Sequence, residues 1–387
     1  MHCVPWRYLP LFLGLTLANC QSPPSGENQT NKNIKEIRLG LVSSLTGRHA
    51  VYGVSMKQGL SLALTEYHRE KPDKYIKVVP VDDQSTSAGA LWAAERIASK
   101  EKVHLFVAGL SSDTAAAVAP LAERAQIPMI TPSATHANIT SYGSRIFRTC
   151  FRNETQARVI ATLATEKLKK TKLAILKDVG SEYSIGLAKT FRAAIEKAGH
   201  KIVAEEVYAS ADKNFSKQLS VIKEAKPEAV YIPGYHQDLA KIFADANKIG
   251  LETIYLGADG WAAPQLWTQG LATTKESYFT SHFHPEEPKP AITNFVKAYR
   301  LKFNEIPDAF AALGYDTGQL IISAVKAIPN TDLNDGRAAL IQALSSLGAH
   351  QGVTGIINYS EQASHEKSTA VIRVSDGKPQ FHWRSRH

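Results

Sequence analysis

Six short stretches, each following an apolar run, carry the residue types that could do chemistry. They are Leu45-Thr46-Gly47-Arg48-His49-Ala50-Val51-Tyr52-Gly53, Gly109-Leu110-Ser111-Ser112-Asp113-Thr114, Thr131-Pro132-Ser133-Ala134-Thr135, Ser181-Glu182-Tyr183, Gly234-Tyr235-His236 and Gly257-Ala258-Asp259-Gly260-Trp261. The first three offer hydroxyls and free backbone N–H groups at helix starts, a combination suited to a carboxylate. The last three offer the carboxylate of Asp259, with Tyr183, Tyr235 and Trp261 as walls. Hydroxyls facing an acid would fit the two ends of a zwitterion such as an amino acid. Each residue also has a plainer reading. Ser112 could cap the helix that follows it, Thr135 could be a turn residue, Asp259-Gly260 is a common turn pair, and the tyrosines could be core.

Catalysis finds little support. There is no serine in a G-x-S-x-G turn and no His or Cys cluster at metal-ligand spacing. His282 and His284, close to Glu286 and Glu287, could be metal ligands, although the stretch HFHPEEPKP reads better as a proline-rich connection. No cofactor is implied.

The elements that must position these residues alternate. EIRLGLVSSL, YIKVVPVDD, HLFVAGL and PMITPSAT read as strands, separated by helical spacings at Val54–Tyr67, Leu91–Ile97 and Thr114–Ala125. After Cys150 the alternation restarts. Glu154–Leu168 reads as a helix with Asn153 as N-cap, followed by KLAILKD, helix Tyr183–Lys197, KIVAEEVY, helix Phe215–Ala225, EAVYIPGY, helix Asp238–Ile249 and TIYLGAD. EKAG and NKIG both place a basic residue in the last turn and then a glycine free to adopt the left-handed cap. Helices Ala291–Phe303, Phe310–Ala327 and Asp335–Leu347 follow, and then the short strands GIINY, STAVIRV and PQFHW, with Ser375-Asp376-Gly377 as a hairpin turn. Strands alternating with helices predict parallel sheets with right-handed crossovers, and two such runs predict two lobes. The fold class is therefore α/β, with two Rossmann-like doubly wound lobes.

The first residues, MHCVPWRYLPLFLGLTLANC, have the form of a secretory signal. Arg7 precedes an apolar run, Leu9 to Leu17, that is too short to span a bilayer. Residues 1–19 are expected to be removed. Cys20 at the boundary resembles the acylated cysteine of a bacterial lipobox, although Asn19 stands where Gly, Ala or Ser is usual. An ordinary signal peptide with a chance cysteine is the alternative. Residues 20–35 read as a polar tether. With Cys3 in the signal and Cys20 carrying lipid, Cys150 has no disulfide partner among the three cysteines, so the fold must rest on its core. Formal net charge is +9, falling to about +8 without Arg7, and the lysines are scattered rather than gathered beside aromatics. Nucleic acid is a poor fit. No later segment is apolar for long enough to cross a membrane.

In order and spacing, LTGRHAVYG with MKQGLSLAL, VDDQSTSAGA, AGLSSDTAAAVAPLAERAQIPMITPSAT, RIFRTCFRNETQ, SEYSIGLA, GADG, FNEIPDAFAALGYDTGQL and GVTGIINY resemble the type I periplasmic binding proteins, in particular the leucine/isoleucine/valine-binding group. The resemblance covers roughly residues 36–374. It implies a ligand carboxylate at Ser112 and Thr135 with backbone from Ser133, an ammonium at Asp259, and a pocket lined by Tyr52, Tyr183 and Tyr235. It implies lobes at 36–152 plus 284–356 and at 153–283 plus 357–387. Three crossings would join them, near Cys150–Asn153, His282–Pro285 and Gly355–Tyr359. The implied partners are a small-molecule ligand, an amino acid or a related amphiphile, an ABC importer permease, and the membrane through the lipid at Cys20. The stretch YSEQASHEKS departs from the family's acidic-glycine turn, so the far end of the second lobe is expected to be built differently. A sensor lobe without a transporter, a binder of amides, urea or aromatic compounds, and an enzyme on a doubly wound scaffold are the competing readings.

Overall fold

The computed structural model describes residues 35–210, 212–268, 276–328, 336–359 and 367–385. Cys20 and the expected signal and tether segments lie outside the described residues, apart from Lys35, which opens the first strand.

The first run folds as β1 (Lys35–Ser43), α1 (Ala50–Arg69), β2 (Lys74–Asp82), α2 (Ser87–Lys100), β3 (Leu105–Ala108), α3 (Ser112–Arg124), β4 (Met129–Thr131) and β5 (Ile146–Arg148). These strands form a parallel sheet in the order β2-β1-β3-β4-β5. Alternation along β1 sends Leu39 and Leu41 to one face and Val42 to the other, and both faces are covered by helices.

The second run folds as α4 (Asn153–Thr162), β6 (Lys172–Asp178), α5 (Glu182–Lys197), β7 (Lys201–Tyr208), α6 (Ser216–Glu224), β8 (Ala229–Tyr231), α7 (His236–Lys248), β9 (Ile254–Gly257), α8 (Pro264–Thr268) and β10 (Glu276–Ser281). The chain then builds α9 (Pro290–Phe303), α10 (Ala309–Ala327), α11 (Gly336–Ser345) and the hairpin β11 (His350–Gly352) and β12 (Gly355–Ile357), before β13 (Ala370–Ser375) and β14 (Lys378–Arg384). The second sheet runs β14-β13-β10-β9-β8-β6-β7, parallel except for its last two antiparallel strands. Leu173 and Ile175 of β6 face α4 and α5, while Ala174 and Leu176 face α6 and α7. The result is two α/β lobes.

The helices after β10 return to the first lobe. Leu320 and Ile321 of α10 share a core with Leu60 and Leu64 of α1, and Phe295 and Tyr299 of α9 pack with Leu62. The α1–α10 contact depends on two glycines. A Cβ at Gly59 would stand 1.9 Å from the Ala311 carbonyl oxygen, and one at Gly314 would stand 2.1 Å from that of Met56. Gly59→Ala is therefore expected to lower unfolding stability by about 1–3 kcal/mol through forced helix separation. An unchanged denaturation midpoint would show that the two helices part at no cost.

Gly199 and Gly250 end α5 and α7 at φ of 79° and 63°, the left-handed caps that the sequence predicts. Asp376 and Gly377, at φ of 48° and 75°, form the predicted β13–β14 turn. Other expectations need correction. Asn153 is not an N-cap: Arg152 holds that place, and Asn153 lies inside α4. Ser111 rather than Ser112 caps α3, in a reciprocal capping box with Thr114. β5, β10 and β11 were not anticipated as strands.

Candidate functional site

Asp259 opens a short 3₁₀ turn, Asp259–Trp261, directly beyond the carboxyl end of β9, and is 2% exposed. Ligands bind at this end of open parallel sheets. Its Oδ1 accepts from the Tyr183 hydroxyl at 2.8 Å and from Gln156 Nε2 at 2.9 Å, and its Oδ2 lies 3.1 Å from His282 Nε2. Gln156 Oε1 accepts from the Asp259 N–H at 3.1 Å and from the Thr280 hydroxyl at 2.8 Å, which fixes the glutamine's orientation. Tyr183 also accepts from the Gly260 N–H at 2.9 Å. The His282 ring is fully buried, stacked on Phe151 at 3.7 Å, and burial pushes its pKa down to about 4. It is therefore neutral at pH 7. Three neutral donors surround this carboxylate, and among the described residues no lysine or arginine pairs with it.

The tyrosines converge on the same turn. Tyr52, in the first turn of α1, donates to the Gly260 carbonyl at 2.7 Å and accepts from the His236 N–H at 3.0 Å, joining the two lobes. Tyr235 stacks on Tyr183 at 4.9 Å, meets the Tyr52 ring edge-on at 5.8 Å and lies 4.4 Å from the His49 ring. Phe310, at the start of α10, closes on Tyr52 at 4.5 Å. Burial pushes the Tyr183 and Tyr235 phenols well up, so both remain hydrogen-bond donors.

Ser112, Ser133 and Thr135 form a second group around the start of α3. Ser112 Oγ accepts from the His136 N–H at 3.2 Å, and Ser133 Oγ donates to the Leu110 carbonyl at 2.6 Å. Thr135 is fully buried, and its Oγ1 has no partner among the described residues. Its carbonyl accepts from the Asn153 N–H at 2.8 Å, while Asn153 Nδ2 reaches the Tyr183 carbonyl at 3.4 Å, so Asn153 bridges the two groups. No hydrogen bond among the described residues joins Ser112, Ser133 or Thr135 directly to Asp259.

The lobes also meet at the edge of this region. Arg48 Nη2 lies 2.6 Å from Asp238 Oδ2, and Asp113 accepts from the Glu182 N–H at 3.0 Å and the Ser181 hydroxyl at 3.4 Å. A polar cavity of about 190 Å³ sits beside these contacts, lined in part by Arg48, His49, Asp113, Asp178 and Tyr235. Gln156, His282, Asp113, Asp238 and Phe310 were not singled out from sequence as site residues. The sequence suggests for His282 a metal ligand or a place in the crossing at His282–Pro285, not a partner of Asp259, and no group of metal-binding side chains occurs among the described residues.

Two α/β lobes meeting across a cleft that holds an acid, a tyrosine box and an unpaired buried hydroxyl define a two-lobed solute-binding protein. The chain belongs to the periplasmic binding protein family, whose model matches residues 36–378. Among its relatives, Leu/Ile/Val-binding protein homolog 3 of Brucella melitensis is 28% identical, over 89% of this chain and 92% of the relative. The leucine-, isoleucine-, valine-, threonine- and alanine-binding protein of Pseudomonas aeruginosa is 25% identical, over 76% and 79%. Among solved structures, the leucine-binding protein LivK of Thermotoga maritima superposes with a TM-score of 0.80 at 29% identity, over 90% of this chain and 98% of that one. The branched-chain amino acid transporter substrate-binding protein LivJ of Streptococcus pneumoniae, in complex with isoleucine, gives 0.81 at 29% identity, over 89% and 98%.

Proposed function

We propose that this chain captures a branched-chain or related amino acid between its lobes and presents it to an ABC importer permease, without transforming it. The observation that carries the reading is the state of Asp259: a buried carboxylate held by three neutral donors, with its charge left for a ligand cation to balance. An ammonium there, with a carboxylate toward Ser112, Ser133 and the unpartnered Thr135 hydroxyl, would use both groups of residues at once. Tyr52, Tyr183, Tyr235 and Phe310 would enclose an aliphatic side chain. The names of the leucine- and isoleucine-binding relatives support the same ligand class. The lobes of this binder are 36–152 plus 284–356 and 153–283 plus 357–387.

Thermal unfolding with leucine, isoleucine and valine tests the reading. A ligand present at about 100 times its Kd adds about 2.7 kcal/mol of stability. A shift with a branched-chain amino acid and none with glutamate, lysine, urea or benzoate is the expected pattern. A shift with urea or benzoate alone would move the assignment to amide or aromatic ligands.

The protein is placed outside the cytoplasm, attached by lipid at Cys20. No helix among the described residues is long and apolar enough to cross a membrane. In bacterial cells the mature protein is expected to partition into detergent, and Cys20→Ser to release it in soluble form, since stable attachment takes more than one acyl chain. Unchanged partitioning of Cys20→Ser would remove the lipid anchor from the proposal.

A further inference from the structure

A second cavity, of about 490 Å³, lies away from the acid–tyrosine cleft, beside the connection from β10 to α9. None of Tyr52, Ser112, Ser133, Thr135, Tyr183, Tyr235 or Asp259 lines it. Its size falls within the range of small-molecule sites. Its floor is aromatic: Trp267 and Phe279 stack at 5.6 Å with their planes 13° apart. Ile306 contributes an aliphatic wall from the α9–α10 loop and is 62% exposed. The polar groups at its edge are one-sided. Glu286 and Glu305 are exposed at the rim, and Asp308 stands beside them while capping α10 through the Ala311 N–H. Burial lowers the pKa of His284, which also lines the groove, so it is neutral at pH 7. Among the described residues no lysine or arginine lines the groove, although the chain as a whole carries a formal charge of +9.

We propose that this groove is an accessory site for a small hydrophobic monoamine, whose ring or chain lies on Trp267 and Phe279 and whose ammonium faces Glu286 and Glu305. An apolar body with a cationic end matches an aromatic floor under an acidic rim. The walls come from both lobes and from the connection between them: α8, β10 and β13 on one side, and the residues before α10 on the other. An occupant therefore touches both lobes, and its affinity depends on their arrangement. The site does not rest on the amino-acid reading of the cleft.

The test is calorimetric titration of the full mature chain with phenethylamine, 2-phenylethanol and phenylacetate, with tryptophan emission followed in parallel. Saturable binding of phenethylamine is expected, accompanied by an emission change that Trp267→Phe abolishes. Phenylacetate should not bind, and 2-phenylethanol should bind more weakly. Glu286→Lys with Glu305→Lys, at two exposed positions that leave the core untouched, should weaken phenethylamine by about tenfold or more. Asp259→Asn should leave it unchanged, even where leucine binding is lost. No saturable binding, equal binding of phenylacetate, or loss of phenethylamine with Asp259→Asn would each overturn the proposal. The last result would place the amine in the cleft.

Discussion

Asp259→Ala and Asp259→Asn are each expected to weaken leucine binding by about two to three orders of magnitude, the cost of leaving a buried ammonium without its counter-charge. Asparagine keeps the shape but loses the charge: its Oδ1 can still accept from the Tyr183 hydroxyl and Gln156 Nε2, and its N–H₂ then faces His282 Nε2, which accepts once the neutral ring carries its proton on Nδ1. The ligand-free protein should behave differently. Removing a buried charge that no lysine or arginine among the described residues balances relieves a desolvation cost, so the melting temperature of the Asn variant should stay close to that of the wild type. Titration calorimetry for affinity and thermal unfolding for the fold separate the two effects. Affinity unchanged in both variants would sink the amino-acid reading of the cleft. A large loss of melting temperature in the Asn variant would instead mean that Asp259 is mainly a structural acceptor.

Asp259 and the three tyrosines could be found in the sequence because each follows a strand, and strand ends in parallel sheets converge on one edge. Its supporting donors could not be found that way. Gln156 lies on a helix 103 residues away, and nothing local distinguishes it from any other helical glutamine. His282 misleads in a different way. Its sequence neighbours Glu286 and Glu287 suggest a metal cluster, but Glu287 turns to Arg384 and Lys289, and the ring turns to Asp259. The serine pair at 111 and 112 shows how fine the distinction is. A shift of one residue in the start of α3 assigns the cap to Ser111 and leaves Ser112 in the first turn. Strand β10, ESYFTS, hides for a related reason. Buried on both faces, it shows no alternation, and its Ser and Thr read as turn composition. The contacts that join the lobes are the least legible. Arg48 and Asp238 are 190 residues apart, and no pattern within either lobe announces their pairing.

Lowering the pH from 7.5 to 5.5 is expected to weaken ligand binding by about tenfold, because closure of the lobes buries two histidines. His49, beside the start of α1 in the first lobe, is 7% exposed, lies 4.4 Å from the Tyr235 ring of the second lobe, and its Nδ1 has no partner among the described residues. His236, at the start of α7 in the second lobe, places its Nδ1 3.1 Å from the Tyr52 hydroxyl of the first. Burial first, and then the Arg48 guanidinium, push these rings down from 6.5 to about 3 and about 4. With the lobes apart, both would regain water and titrate closer to the ordinary histidine value, with Arg48 still beside His49. Below that value the open form is protonated and the closed form is not, so closing must release protons, and closure weakens as pH falls through 6.5. Above 6.5 both forms are neutral and closure is independent of these groups. His236 is only partly buried, so most of the effect is assigned to His49. The other charges at this junction are Arg48, Asp113, Asp178, Glu182 and Asp238, with Asp259 and Asp308 near Tyr52. Burial raises Asp113 and Asp238, so in the closed form they take up protons more readily and oppose the histidines, and Asp308, which burial pushes up to about 6, titrates in the same region. The interval from 5.5 to 6.5 is where histidines with water around them take up their protons, and the double variant isolates their share. His49→Gln with His236→Gln should keep most of the affinity at pH 7.5 and flatten the profile over that interval. The same slope in the double variant, or tighter binding on acidification, would show that the histidines do not govern closure.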